Sequence, residues 1–365
     1  TSVNIQSAFQ INLSKITNSG SSVIKMLHQY LSMMKAVPTL AVDAIQGIRE
    51  LVEYYTFCVL YIFLKNSPVK PFEMNQNNKI VLNWQYVILL TSDGVQSLSR
   101  IIHHFLNSNI LFPTKSMVEE DAITVAKQAV SATDDMYAID WYLESIRTYL
   151  EEALPENSIG SLRRFYSDVV MNILKNFPSY CYQFLIPNLV DLNSFDQQVR
   201  STKFNINEAQ IDPHQFSQTW VSIAHQFNEN VISQQMSDIG EKERDQFLIA
   251  FWTYSSFVVL NAFASATKCT QEGRTSMVSD FRNMSHEFTE LIGKRFQINT
   301  DWVISYLNAY YSTKTEFTGW CESNSKRYTL NQLMAIVETG LSSQLGRKDK
   351  MQLQDFIKKL YKDLS

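Results

Sequence analysis

Side chains that could bind a metal ion or take part in catalysis are scattered along this chain and rarely lie close together in sequence. His103 and His104 are adjacent, and neighbouring residues of a helix point about 100° apart, so the two rings do not share one metal ion. The carboxylate pairs Asp134–Asp135 and Glu151–Glu152 are also immediate neighbours. Acid–base catalysis needs two groups that face each other across a pocket, so we interpret these pairs as surface and helix-start charges.

The spacing of the cysteines and the absence of glycine-containing motifs also argue against a catalytic or metal site. The four cysteines Cys58, Cys181, Cys269 and Cys321 lie far apart and form no Cys-x-x-Cys pair, which predicts reduced residues of a cytosolic protein. Phosphate-binding glycine loops, the Gly-x-Ser-x-Gly elbow and the His-Glu-x-x-His motif are absent from the sequence. The sequence therefore predicts no catalytic residues, no metal and no cofactor, and an enzyme with an unrecognised pocket is the least favoured alternative.

The charge is uneven along the chain. The formal net charge is −4, but residues 266–365 carry a net charge of +3 and the rest of the chain −7. The aromatic residues do not alternate with Lys and Arg as they do in nucleic-acid stacking platforms, so no nucleic-acid partner is expected. A basic end on an acidic body indicates either an ordinary solvated surface or attraction to an anionic membrane or partner.

Helical periodicity recurs almost everywhere. Phe216, Trp220, Ile223, Phe227 and Val231 follow one another at intervals of four, three, four and four, which places them on one helix face. Strand-like alternation is rare, and the sequence has only 10 Gly and 8 Pro, fewer turn formers than a protein of many short strands needs. The predicted fold is all-α, an elongated rod of successive helical bundles.

Polar, unpatterned stretches mark the predicted boundaries. We expect one helical bundle region in residues 1–200 and a carboxyl-terminal one in residues 206–365, with a linker at about 191–213. Residues 65–79 indicate an exposed loop. The uncharged stretch 247–267 has the length of a membrane-spanning helix, but Ser, Thr and Asn interrupt it, which favours the central helix of a bundle.

Capping residues predict where helices begin. Asp212 before Pro213 indicates a helix start, Asn299 or Thr300 indicates another, and Thr329 precedes a further helix.

A series of basic residues supplies the candidate contact surface for a partner or a membrane. These residues are Lys268, Arg274, Lys294, Arg295, Lys326, Arg327, Arg347, Lys348 and Lys350. Lys358 and Lys359 follow, and together with the group at 347–350 they flank a helix that carries Leu353 to Leu360. Such a helix can lie on an anionic bilayer, or it can pack its apolar stripe on the bundle.

Four segments carry a resemblance to a known family. They are KCTQEGRTSMVSDF at 268–281, WVISYLNAYYSTKTEFTGW at 302–320, KRYTLNQLMAIVETGL at 326–341, and LAVDAIQGIRELVEYYTFCVLYIF at 40–63. In these segments the chain resembles the carboxyl-terminal region of the syndetin family, the EARP-specific subunit of the EARP and GARP tethering complexes of the CATCHR class. The paralogous large subunit of GARP, which acts at the trans-Golgi network, is an alternative.

The resemblance implies a tether leg without catalytic residues. In such complexes amino-terminal coiled-coil regions assemble the subunits, and carboxyl-terminal legs reach membranes, SNARE proteins, small GTPases or accessory proteins. It further implies other EARP or GARP subunits as partners and a cytoplasmic, peripheral location on recycling endosomes or trans-Golgi membranes, with a role in endosomal recycling and retrograde transport. A purely structural scaffold that stabilises the complex remains the alternative function.

Overall fold

A computed structural model of the chain describes residues 16–65, 72–74, 80–82, 100–101, 104, 121–208, 210, 212–293, 297–341 and 345–364. Apart from one antiparallel pair of three-residue strands, β1 (Phe72–Met74) and β2 (Ile80–Leu82), the regular structure in these ranges is helical. The predicted all-α class is confirmed. The strand β1 lies inside the stretch 65–79 that the sequence analysis assigned to a loop.

Two compact units divide the described residues, the first reaching Leu185 and the second beginning at Ile186. The first unit contains helices α1 to α4 and most of α5. Their bounds are α1 Asn18–Ala36, α2 Ala41–Lys65, α3 Ala122–Ala153, α4 Glu156–Phe165 continued by a π-helix Tyr166–Leu174, and α5 Phe177–Leu189. A 3₁₀ turn, Pro38–Leu40, separates α1 from α2, because proline removes a backbone donor and ends the helical ladder.

A buried carboxylate joins the first three helices. Asp135 on α3 accepts hydrogen bonds from the Thr17 amide (2.8 Å) and hydroxyl (2.5 Å) before α1, and from the Tyr55 hydroxyl (2.7 Å) on α2. Asp135 is only 1% exposed. A Cβ on Gly20 would approach the Asp135 carboxyl carbon to 2.4 Å, so the glycine leaves room for this junction. Asp135, which the sequence analysis assigned to the surface, is therefore a structural residue of the interior.

The second unit contains the remaining helices. Their bounds are α6 Asn193–Ser201, α7 Gln215–Gln226 continued by a π-helix Phe227–Gln235, α8 Glu241–Ala264, α9 Gln271–Ile292, α10 Asp301–Ala309, α11 Lys314–Asn324, α12 Leu330–Ala335 continued by a π-helix Ile336–Gly340, and α13 Arg347–Leu364. A 3₁₀ turn, Ser325–Arg327, follows α11.

Aromatic side chains form the centre of the second unit. Trp252 on α8 packs against Trp220 (ring centroids 5.7 Å apart) and stacks on Phe288 of α9 (5.4 Å). Within the described residues α8 is the one helix long and apolar enough to cross a membrane, but 67% of its most apolar window is buried inside the protein. The prediction of a central core helix is confirmed.

The boundaries show where sequence signals hold and where they fail. Thr329 caps α12 as predicted, with a reciprocal pair of hydrogen bonds to Gln332. Thr300 occupies the residue before α10. Helix α7 begins at Gln215, two residues after the predicted Pro213, because His214 takes the cap position. The segment 191–213 contains helix α6, and the predicted domain limits stay a prediction.

Candidate interaction surface

The predicted contact residues separate into distinct groups. Lys268, Arg327, Arg347 and Lys348 are exposed, and Lys350 is half-buried. Lys294 and Arg295 lie outside the described residues, as does the side chain of Lys326. Arg274 alone points into the protein.

Arg274 is 7% exposed and acts inside the second unit. Its guanidinium lies over the ring of Tyr310, 4.6 Å from the centroid, and donates weak hydrogen bonds to the carbonyl oxygens of Thr339 (3.3 Å) and Cys269 (3.4 Å). Thr339 lies in the last turn of a helical segment, where carbonyl groups concentrate partial negative charge and favour a cation. Arg274 therefore connects α9 to the end of that segment, and we remove it from the predicted contact set.

The polar residues of the 268–281 motif hold a non-helical segment that we call the strap, which consists of residues 204–208, 210 and 212–214. Thr270 donates its backbone amide to the Phe204 carbonyl (3.1 Å) and its hydroxyl to the Ile206 carbonyl (2.6 Å). Further along α9, the Ser276 hydroxyl accepts from the Gln210 amide (3.0 Å). These contacts supply partners for backbone groups that no helix or strand satisfies.

The strap ends in a paired contact with Asp280. One carboxylate oxygen of Asp280 accepts from the His214 backbone amide (2.8 Å), and the other contacts His214 Nδ1 (2.7 Å). Burial raises the pKa of the Asp280 carboxyl above its usual value, and the hydrogen bonds and charge of His214 oppose this rise. Residues 270, 273, 276 and 280 recur at intervals of three and four, so they lie in one row on α9.

Gly273 is the point of closest approach in this row. A Cβ on Gly273 would lie 1.8 Å from the Phe204 carbonyl oxygen, far inside any real contact distance. The glycine is needed because the strap backbone crosses α9 directly over it. Gly273 lies in the first turn of α9.

The 302–320 motif also serves packing. Tyr306 donates to the Gln332 carbonyl (2.8 Å), which joins α10 to α12. The Trp320 indole donates to Ser305 Oγ (3.0 Å) and stacks on Tyr328, with centroids 5.0 Å apart. These aromatic residues, which carry the family resemblance, are thus bound to one another inside the unit.

Reactive groups are few in the described part of the chain. An open groove of about 350 Å³ between α10 and α11 is lined by Asp301, Ser305, Asn308 and Trp320, with no catalytic pairing among them. No three His, Cys, Asp or Glu side chains gather there, or elsewhere among the described residues, in a way that could hold a metal ion. Burial raises the pKa of the Cys181 and Cys321 thiols, which keeps them protonated and unreactive near neutral pH.

Helix α13 carries a group of exposed cations in the second unit. Lys358 and Lys359 are exposed together with Arg347 and Lys348, while Leu353 and Ile357 on the opposite face are 2% and 0% exposed. Lys358 and Lys359 were not among the predicted contact residues. Their spacing of eleven residues from Arg347 and Lys348 indicates a shared face.

A family model and three curated relatives indicate the same family. The family model "Syndetin, C-terminal" matches residues 124–358. Syndetin of the mouse (Mus musculus) is 19% identical over 364 residues, which covers 94% of this chain and 36% of the mouse protein. Syndetin of the rat (Rattus norvegicus) gives the same values.

Chicken (Gallus gallus) syndetin is 18% identical over 353 residues, covering 93% of this chain and 36% of its own length. The chain therefore spans about a third of the length of the curated relatives that it matches. The family model extends over more than half of the chain and includes the strap, α9 and all of the aromatic packing described above. The chain belongs to the syndetin carboxyl-terminal family.

Proposed function

We propose that this chain is a non-enzymatic helical part of a vesicle-tethering complex. Membership in the syndetin carboxyl-terminal family supports this function, since the family resemblance implies a subunit of a tethering complex. The observation that best supports the proposal is how the second unit distributes its polar and charged residues. Polar residues of its family segments, such as Arg274 and Asp280, are buried and stabilise the packing, while Lys and Arg residues such as those of α13 are exposed.

The trafficking step is endosomal recycling and retrograde transport. The expected partners are the other EARP or GARP subunits, with SNARE proteins, small GTPases or accessory proteins contacted by the exposed surface. The chain would act in the cytoplasm, peripherally on recycling endosomes or trans-Golgi network membranes. This step and these partners follow from the family resemblance described in the sequence analysis.

The proposed mechanism is avidity. A leg that contacts its target weakly raises the effective concentration of the other legs of the same complex near that target. Several weak contacts then hold a vesicle as firmly as one tight site, and each contact remains reversible. Such a leg needs a rigid scaffold and an exposed surface, and it needs no pocket.

A structural scaffold is the second candidate. The close fastening of the strap to α9 favours it, because much of the family motif is used to stabilise the unit rather than to present a surface. In that case the chain would hold the complex together and would contact no vesicle component.

Affinity capture from cytosol distinguishes the two candidates. The chain is immobilised, and the bound proteins are identified and quantified against a heat-denatured sample of the same chain. The tether leg predicts enrichment of SNARE proteins, small GTPases or accessory proteins. Enrichment of EARP or GARP subunits alone would favour the scaffold, and enrichment of no trafficking protein would contradict both.

A further inference from the structure

Helix α13 has two faces of opposite character. The inner face is apolar and already occupied, with Leu353 and Ile357 buried against the unit and the Tyr361 hydroxyl donating to the Ser325 carbonyl (3.1 Å). The apolar stripe that could have entered a bilayer is therefore used for packing. Any partner of this helix must contact its outer face.

The outer face carries two rows of cations. Arg347 and Lys358 are eleven residues apart, and so are Lys348 and Lys359, which is three turns of a helix and about 16 Å along its axis. Met351 and Asp355 lie between the rows. Met351 is 57% exposed, and Asp355 is the one carboxylate among these six described residues.

These cations are not neutralised within the described part of the chain. None of the four makes an ion pair there, whereas the nearby acid Asp349 is bound to Lys314 on α11. Arg327 adds a further exposed cation in the turn that Tyr361 contacts. The result is a positively charged helix face about three turns long.

We propose that this outer face of α13, defined by Arg347, Lys348, Met351, Asp355, Lys358 and Lys359, rests on an anionic lipid bilayer. The proposal rests on the proposed function and assigns one contact of the tether leg. Each Lys or Arg near an anionic membrane surface strengthens binding by about fivefold, and the contact is weakened by salt within a Debye length of about 10 Å. A single apolar Met351 adds little, so the contact is electrostatic and reversible.

The composition of this face favours a bilayer over an acidic protein partner. The centre of a protein–protein interface is depleted of Lys and enriched in aromatic residues. Three of the six residues on this face are Lys and none is aromatic. Flexible ammonium groups suit a fluid layer of headgroups, which has no fixed geometry to match.

Vesicle sedimentation tests the proposal. The chain is mixed with vesicles of phosphatidylcholine and phosphatidylserine, with about four phosphatidylcholine molecules for each phosphatidylserine. In parallel it is mixed with pure phosphatidylcholine vesicles. The test variant carries Lys348→Gln, Lys358→Gln and Lys359→Gln. The control variant carries Lys25→Gln, Arg163→Gln and Arg164→Gln, which remove three exposed cations from the first unit and change the net charge equally.

We expect the chain and the control to bind the anionic vesicles, and the test variant to bind about 100-fold more weakly. Equal binding by test variant and unaltered chain, equal loss in the control, or no preference for phosphatidylserine would each overturn the proposal. Circular dichroism of each variant verifies the fold. Affinity capture with the unaltered chain distinguishes failure of this proposal from failure of the proposed function. If the chain captures trafficking proteins but does not bind anionic vesicles, the membrane contact of α13 is wrong and the tethering function stands.

Discussion

The carboxylate of Asp280 binds His214 twice, through its backbone amide and through its imidazole, at 2.8 and 2.7 Å. The two residues are 66 positions apart, and the bonds fix the start of α7 against the middle of α9. A segment that is polar and unpatterned in sequence is thereby part of the folded unit. The strap owes its position to side chains on α9 rather than to its own helical or strand propensity.

A methyl group at Gly273 should displace the strap. Gly273→Ala places a Cβ against the Phe204 carbonyl, and we expect it to lower the free energy of unfolding of the second unit by about 1–3 kcal/mol. Urea denaturation followed by tryptophan fluorescence measures the change. Gly319→Ala in α11 is the matched control, since its Cβ meets open space, and it should stabilise the helix by about 0.5–1 kcal/mol. Equal effects of the two substitutions would refute the close approach.

Removal of the buried cation should cost stability and leave surface binding intact. Arg274→Gln loses the stack on Tyr310 and the bonds to the Thr339 and Cys269 carbonyls, so we expect a loss of about 1–3 kcal/mol in unfolding free energy. Lys268→Gln, at an exposed site nearby, should change it by less than about 0.5 kcal/mol. Thermal denaturation compares the two. Similar melting temperatures for both variants would return Arg274 to the contact set.

The stability of the first unit should depend on the protonation of Asp140. Burial raises the pKa of this carboxyl from 3.8 to about 6, Glu144 adds to the rise, and Lys175 opposes it. Because the folded state holds the proton more tightly than the unfolded state, the free energy of unfolding should fall as the pH rises from about 4 to about 6.

Asp140→Asn removes this titration and serves as the reference for it. Hydrogen exchange of the α3 amides at several pH values, corrected for the intrinsic exchange rate, measures the stability of both proteins. We expect the difference in stability between the variant and the unaltered chain to grow in favour of Asn as the pH rises through this range. A difference that is constant with pH would show that Asp140 ionises as an ordinary surface carboxyl.

Periodicity predicted the helices because each one buries a stripe whose spacing is local. The stripe of Met277, Phe281, Met284 and Phe288 on α9 is an example, and Met284 is 0% exposed. The second row on the same helix, Thr270, Gly273, Ser276 and Asp280, was not predicted. Its meaning depends on a strap distant in sequence, and small polar residues at helical spacing are equally common on solvated faces.

The contact surface was predicted only in part for a related reason. Sequence composition identifies clusters of Lys and Arg, but it does not show which of these cations lies next to carbonyl groups and an aromatic ring in the folded protein. Arg274 finds both and is buried, whereas Lys348 and Lys358 find neither and stay exposed. The eleven-residue spacing on α13 was the available signal for the missed Lys358 and Lys359.

The position and amount of the assembled complex test the central claim most directly. The full-length subunit is expressed with and without residues 190–365, a deletion that leaves α5 whole and removes helices α6 to α13. Co-precipitation then measures how much complex assembles, and fluorescence microscopy measures its fraction on endosomes. If the chain is a tether leg, the amount of complex stays the same and its endosomal fraction falls. A fall in the amount of complex, with the remainder still on endosomes, would contradict the account.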